Sequence, residues 1–532
     1  MTALAGTGAL TRLALRRDRI MLPVWIYLIV IMAASTVSST KGLYPDVASR
    51  AQLASNTNST PALVALYGRV YDPTSLGAVS MLKLNVLGAI AAAALSIVLV
   101  VRHTRADEES GRQELVGATA VGRRAPLTSA LTVMLSTNLT LAVLCALGLT
   151  IAGLPVAGSA AAGLAWGGVG VVFGAIAAVV AQLTAHARTA TGYSFAALGA
   201  FYLIRALGDA SGSGGPRWLS WLSPIGWGQQ FRPYAGNRWW VLLIMVAFAG
   251  VTTVVAYSLV SRRDLGAGIL PDREGPARAA PGLRGAVSLW WRLQRGSVLG
   301  WTIAFVVLGA ALGGIASNVG NMVGSQQAHD FITKLGGEKG ITDAFLATDM
   351  VFASIFAAAF GVQAIGRLRA EETGQRAEPV LATAVSRWRW AAGPVLIALL
   401  GGAVMLLLTG LTSGAVYAMQ SGDGAQLGRL AGAALVQIPA AWVVVGVVVL
   451  GYGLVPRFTS LGWAVLVVFL LIGEMGPLLR LPQWAMNLSP FAHTPKLPGT
   501  TWSATPLLWM LAIAAALVGA GLWAFRRRDL TS

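Results

Sequence analysis

The run "KLNVLGAIAAAALSIVLVV", Lys83 to Val101, has its one charge at its first residue, and runs of this kind recur along the whole chain. A bilayer core is about 30 Å thick, so a helix needs roughly 20 mostly apolar residues to cross it. Hydrocarbon offers no partner for exposed backbone amides, so each such run must be helical or lie in a closed barrel. Runs of this length are too long for barrel strands, and the chain is predicted to be an all-α polytopic membrane protein.

Twelve runs qualify, six in each half. The first six are Ile20–Val37, Met81–Val101, Leu127–Leu154, Ala160–Leu183, Thr191–Leu207 and Trp239–Val260. The second six are Ser297–Ala316, Ala344–Ile365, Ala391–Leu411, Leu430–Leu454, Ser460–Ile472 and Pro506–Phe525. Composition agrees: with 55% hydrophobic and 11% charged residues among 532, the charges are too few to cover a soluble globule. The first run follows basic residues, as a secretory signal does, but it is long for a signal and its surroundings recur in mid-chain. It is therefore read as a crossing.

Basic residues are retained on the cytoplasmic side during insertion. Arg12, Arg16, Arg17, Arg19, Arg262, Arg263 and Arg526 to Arg528 then place both termini in the cytoplasm and the chain in the inner (plasma) membrane. The net charge of +18 is divided among loops, which argues against a nucleic-acid partner. Cys145 is the single cysteine and the four histidines show no ligand spacing, so no metal site and no catalytic residue are expected.

The halves repeat one plan. Leu13, Arg16, Arg19 and Trp25 precede or open the first crossing as Leu289, Arg292, Arg295 and Trp301 do the seventh, which predicts two short amphipathic surface helices. "SRRDL" (Ser261 to Leu265) follows the sixth crossing and "RRRDL" (Arg526 to Leu530) the twelfth. Six crossings per half make the repeats parallel, related by an axis along the membrane normal. The expected organisation is a first half over 1–265, a cytoplasmic linker over 266–286 and a second half over 287–532.

Between the second and third crossings of each half stands a charged sentence. "RADEESGRQELVGATAVGR" (Arg105 to Arg123) and "RAEETGQRAEPVLATAVSR" (Arg369 to Arg387) agree at eleven of nineteen positions. Topology requires only basic residues in such loops, yet here the acids recur in register. Acids leading and arginines closing suit a short helix and its dipole.

This pattern is similar to the ABC-2 type permease family, which commonly has "TPVSR" where this chain has "TAVGR" and "TAVSR". The fused halves and "RRDLGAG" (Arg262 to Gly268) resemble the membrane subunit of actinobacterial tetronasin-type exporters. The resemblance implies a type V exporter-like fold of two parallel six-helix repeats and a cytoplasmic coupling helix in each half. It implies contacts with two copies of a separate ATPase subunit, made by Asp107, Glu108, Glu109, Gly111, Arg112 and Glu114 and by Glu371, Glu372, Gly374, Arg376 and Glu378. No "GxxxxGK[ST]" loop occurs here, so ATP and Mg are expected in the partner chains and no cofactor in this one.

Ionisable residues inside a bilayer are costly and mark function or a partner. Candidates along the translocation path are Lys83, Asn85, Phe201, Arg205, Asp349, Phe469 and Glu474. Superposing the halves sets Asp349 on Asn85 and Glu474 one position from Arg205, so Arg205 could pair with Glu474 and Lys83 with Asp349. The resemblance implies that the second and fifth crossings line the path. Such a path would be mainly Ala, Leu, Val, Ile and Phe, which favours a hydrophobic or amphipathic substrate. Two other classes compete: a proton-coupled secondary drug transporter, which would want carboxylates deeper in the membrane, and a membrane enzyme, which would want a catalytic constellation.

Overall fold

The computed structural model describes residues 3–117, 119–211, 215–270, 277–316, 337–470, 472, 482–498 and 502–529, and among them it contains helices and turns but no strand. The chain divides into two compact units, Met1–Gly275 and Pro276–Ser532, taken in turn below.

Unit 1 begins with α1 (Thr7–Arg17). Leu10, Leu13 and Ala14 share one face at helical spacing, and Arg16 and Arg17 occupy the last turn, where the helix dipole favours cations. Ala14 buries this face against the helix Ala125–Ile151. The first crossing, α2 (Met21–Leu43), leads to two short helices, α3 (Val47–Ser59) and α4 (Pro61–Tyr67). The carboxylate of Asp46 caps α3 by accepting from the Ser49 amide at 2.7 Å.

Then come α5 (Leu76–Val101), α6 (Arg112–Gly117), α7 (Ala125–Ile151), α8 (Val156–Leu183), α9 (Ala187–Ala210) and α10 (Val241–Val260). α8 is central, packing against α5, α7 and α10. Its contact stripe is largely Gly and Ala because lipid provides little drive for helix association, and small residues let backbones approach. At Gly163 an added Cβ would collide with the carbonyl of Ala142 on α7. Inside this packing Asn138 donates to Ser96 at 2.8 Å.

Unit 2 comprises α11 (Ala286–Ala316), α12 (Gly337–Thr373), α13 (Ala377–Leu381), α14 (Arg387–Ser421), α15 (Ala425–Leu435), α16 (Ile438–Leu454), α17 (Gly462–Leu470) and α18 (Thr505–Arg527). α16 takes the place of α8, packing on α12, α14 and α18.

Among the described residues ten helices are long and apolar enough to cross a membrane, so the chain is multi-pass. The twelve expected crossings exceed this at the fifth place of each half. α9 has the length, but Arg188, Arg205 and Asp209 reduce its apolarity. α17 is described only to Leu470, and Glu474 lies outside the described residues. The second surface helix is also corrected. Residues 289–295 are continuous with the crossing in α11, because Trp290 is fully buried against Trp390, with ring centroids 4.6 Å apart.

Candidate functional site

α5 does not stop where the apolar run ends. It continues through a wider turn, Arg102–Ala106, into Asp107–Glu109, carrying the charged sentence off the end of the crossing. Both oxygens of Glu108 accept from Arg263, at 2.6 and 2.8 Å, and one accepts from the Gly266 amide at 2.6 Å. Gly266 has φ +82°, a left-handed conformation that glycine adopts at little cost, and it turns the amide onto the carboxylate. Arg105 lies 3.3 Å from the same group.

Unit 2 builds the same clamp in the same register. Glu372 accepts from both terminal nitrogens of Arg528 at 2.6 Å, and the Tyr452 hydroxyl donates to it at 2.9 Å. Burial disfavours the Arg528 cation, but its hydrogen bonds to Glu372 outweigh this and hold its pKa above the ordinary value. Arg263 and Arg528 are third in "SRRDL" and "RRRDL". The partners' backbones are tied as well: Arg123 donates to the Arg263 carbonyl and Arg387 to that of Arg528.

A second pair repeats beside the first. Asp107 meets Arg17 at 2.7 Å and Arg112 at 3.2 Å, and Glu371 meets Arg367 at 2.8 Å and Arg376 at 2.6 Å. The second pair differs between the halves at the position of His103. His103 stands where unit 2 has Arg367, 2.5 Å from buried Asp18 and 3.9 Å from Asp107.

These contacts use part of each charged sentence inside its own unit. Glu108, Glu371 and Glu372 are buried and ion-paired within their own units, so they hold the loop in place. Glu109 accepts from the Ala187 amide at the start of α9 at 2.9 Å. Glu114 on α6 and Glu378 on α13 are exposed. Gly111, at φ +72°, makes the reversal before α6, but in unit 2 Gln375 takes the left-handed conformation, not Gly374.

At the other end of unit 1 a groove of about 320 Å³ runs between α5 and α9. Val86, Leu87 and Ile90 form one side, Phe195, Leu198 and Tyr202 the other, and Leu66 and Tyr67 of α4 close its end. Arg205 holds α4 there. It is fully buried, donates to the carbonyls of Ala65 at 2.6 Å and Leu66 at 3.3 Å, and meets Asp209 at 3.4 Å. Asp209 in turn accepts from the Ser220 hydroxyl at 2.5 Å, and Tyr202 donates to Leu66 at 3.2 Å.

Arg205 is thus a latch within unit 1, and Glu474, its expected partner, lies outside the described residues. Phe201 meets Phe173 edge-on at 6.0 Å in the core. Phe469 likewise packs against the core of unit 2. Lys83 is exposed, 5.9 Å from the Tyr67 ring centre, and Asn85 is buried nearby. Among the described residues, Asn85 Oδ1 and Asp349 Oδ2 have no hydrogen-bond partner.

The clamp arginines and the groove aromatics are what sequence reasoning missed. The repeated "RRDL" carried a signal for the first, and the helical spacing of Phe195, Leu198 and Tyr202 for the second.

Residues 9–259 and 283–526 match the family described as multidrug efflux system permease Rv1217c, C-terminal domain. The chain belongs to this efflux permease family. It is similar to the multidrug efflux system permease protein Rv1217c of Mycobacterium tuberculosis (strain ATCC 25618 / H37Rv), at 46% identity over 528 residues, 99% of this chain and 95% of that protein. For a permease, an apolar groove beside a crossing and a braced charged loop at the opposite end are parts that transport can use. The matched segments contain both clamp glutamates and the whole groove.

Proposed function

We propose that this permease is the membrane subunit of an ATP-driven exporter of ABC-2 type, with the basic end in the cytoplasm and two separate ATPase subunits docked on it. The observation that carries this reading is the duplicated, buried clamp at the root of each charged loop. Burying a carboxylate is costly unless it is well paired, and a loop that only had to sit in water would need no such bracing. A loop that receives force from a moving partner does. Glu114 and Glu378, exposed on α6 and α13, are then the contact residues, and ATP and Mg belong to the partner.

The substrate enters the groove between α5 and α9, whose lining selects hydrophobic or amphipathic compounds, antibiotics among them. ATP hydrolysis moves the clamped loops and, through the rigid α5 and α12, the groove walls. Purifying the full chain from its own membranes tests the assembly. An ATPase chain with its own phosphate-binding loop is expected at two per permease, and purification without one contradicts the proposal.

A proton-coupled reading draws on Asp349, whose Oδ2 has no partner among the described residues. The two readings differ in energy source.

A further inference from the structure

At the basic end of unit 1 a cavity of about 450 Å³ opens beneath α1. One wall is hydrocarbon, formed by Leu10, Leu13, Leu127 and Val260. The other carries Arg17, Arg112 and Arg123 beside the clamp. Its carboxylates are already matched, since Asp107 meets Arg17 and Arg112 while Glu108 meets Arg263 and Arg105. With exposed Asp264 at the rim included, four lining guanidinium groups, those of Arg17, Arg112, Arg123 and Arg263, face three carboxylates, leaving one positive charge in excess. A cavity that is apolar on one side and cationic on the other fits an anionic amphiphile.

The place fits too. α1 is amphipathic, with Leu13 and Leu15 half exposed beside outward Arg12 and Arg16, as in a helix lying in the headgroup layer. The cavity also touches the coupling loop through backbone contacts. The Gly122 amide donates to Ala5 at 2.9 Å and the Arg124 amide to Ala3 at 3.0 Å, while Gly6 packs on Val121. Anything that fixes α1 therefore fixes the strand of loop that follows α6.

We propose that this cavity binds one anionic phospholipid from the adjoining leaflet. Its phosphate is held by Arg17, Arg112 and Arg123, and its acyl chain lies along Leu10, Leu13 and Leu127. The lipid joins α1 and the charged loop into one body. The assignment is independent of the exported compound and of the energy source.

The test uses the full-length protein, stripped of lipid in mild detergent and re-exposed to phosphatidylglycerol or phosphatidylcholine, with retained lipid counted by native mass spectrometry. Phosphatidylglycerol should be retained at least about tenfold better. An arginine near an anionic lipid contributes about fivefold in affinity, so Arg123→Gln, at an exposed position, should lower retention about fivefold and Arg112→Gln with Arg123→Gln about thirtyfold. Leu13→Trp, which fills the apolar side and keeps the charges, should lower it as well, and a melting temperature within a few degrees of the native protein's, expected for Arg123→Gln, keeps that variant informative. Inorganic phosphate in excess should leave the lipid in place. Equal retention of the two lipids, unchanged retention in Arg123→Gln, or displacement by inorganic phosphate would overturn the proposal.

Discussion

Arg528, one residue beyond α18, grips Glu372 with both terminal nitrogens at 2.6 Å, and Arg263, shortly after α10, grips Glu108 in the same way. Each clamp joins the exit of its unit's last membrane helix, α10 or α18, to the exit of α5 or α12, more than 150 residues away in sequence. Removing one partner leaves the other charge buried. Arg263→Ala and Arg528→Ala should each destabilise their unit by about 3–5 kcal/mol, and replacing both members of a pair by apolar residues of similar volume should recover most of this. Thermal unfolding of the four variants in one detergent checks both halves of the statement.

Arg205 makes a second testable restraint, since it holds α4 through two carbonyls. A hydrogen bond to a charged group is worth about 1.5–3 kcal/mol, so Arg205→Ala should raise amide exchange in residues 61–67 by about 10- to 100-fold. Exchange in α8 should stay as it was. Arg205→Lys should be intermediate, because an ammonium cannot span both carbonyls and Asp209 as a planar guanidinium does.

The architecture was largely legible in the sequence, and the reason is the solvent. A bilayer forces long apolar runs into helices, so ten crossings could be read from hydropathy alone. The fifth place in each half was harder, because a helix such as α9, with Arg205 and Asp209 buried together, hides its polarity in partners that sequence does not reveal. Repetition marks the charged loops, yet it does not say which of their acids pair within the unit. Nothing in "RADEES" distinguishes Glu108, which meets an arginine 155 residues later, from Glu109, which does not. Fold-level pairing decides that, and local pattern cannot.

The groove should set substrate preference. Phe195 and Tyr202 offer aromatic faces that prefer aromatic ligands by about 0.5–1.5 kcal/mol beyond their area. Phe195→Ala should therefore weaken export of planar aromatic compounds about three- to tenfold while sparing aliphatic ones. Gly199→Leu should exclude bulky compounds first. Resistance profiles over a graded compound series, at equal protein level, read out both changes.

Glu114 and Glu378 are exposed and carry no burial penalty, so their reversal to Lys should leave insertion and melting temperature unchanged. In the proposed complex the double variant should still hydrolyse ATP but lose export by at least about tenfold. Unchanged export per ATP would move the contact elsewhere.

In the proposed complex a separate ATPase drives this permease through its two clamped loops. The most direct measurement is uptake of a fluorescent hydrophobic compound into inverted vesicles containing the complex, with ATP, with a non-hydrolysable analogue, and with ATP plus an uncoupler. An ATP-driven permease should show uptake with ATP alone and with ATP plus uncoupler, and none with the analogue. Uptake abolished by the uncoupler while ATP is still being hydrolysed would contradict it and assign the energy to protons.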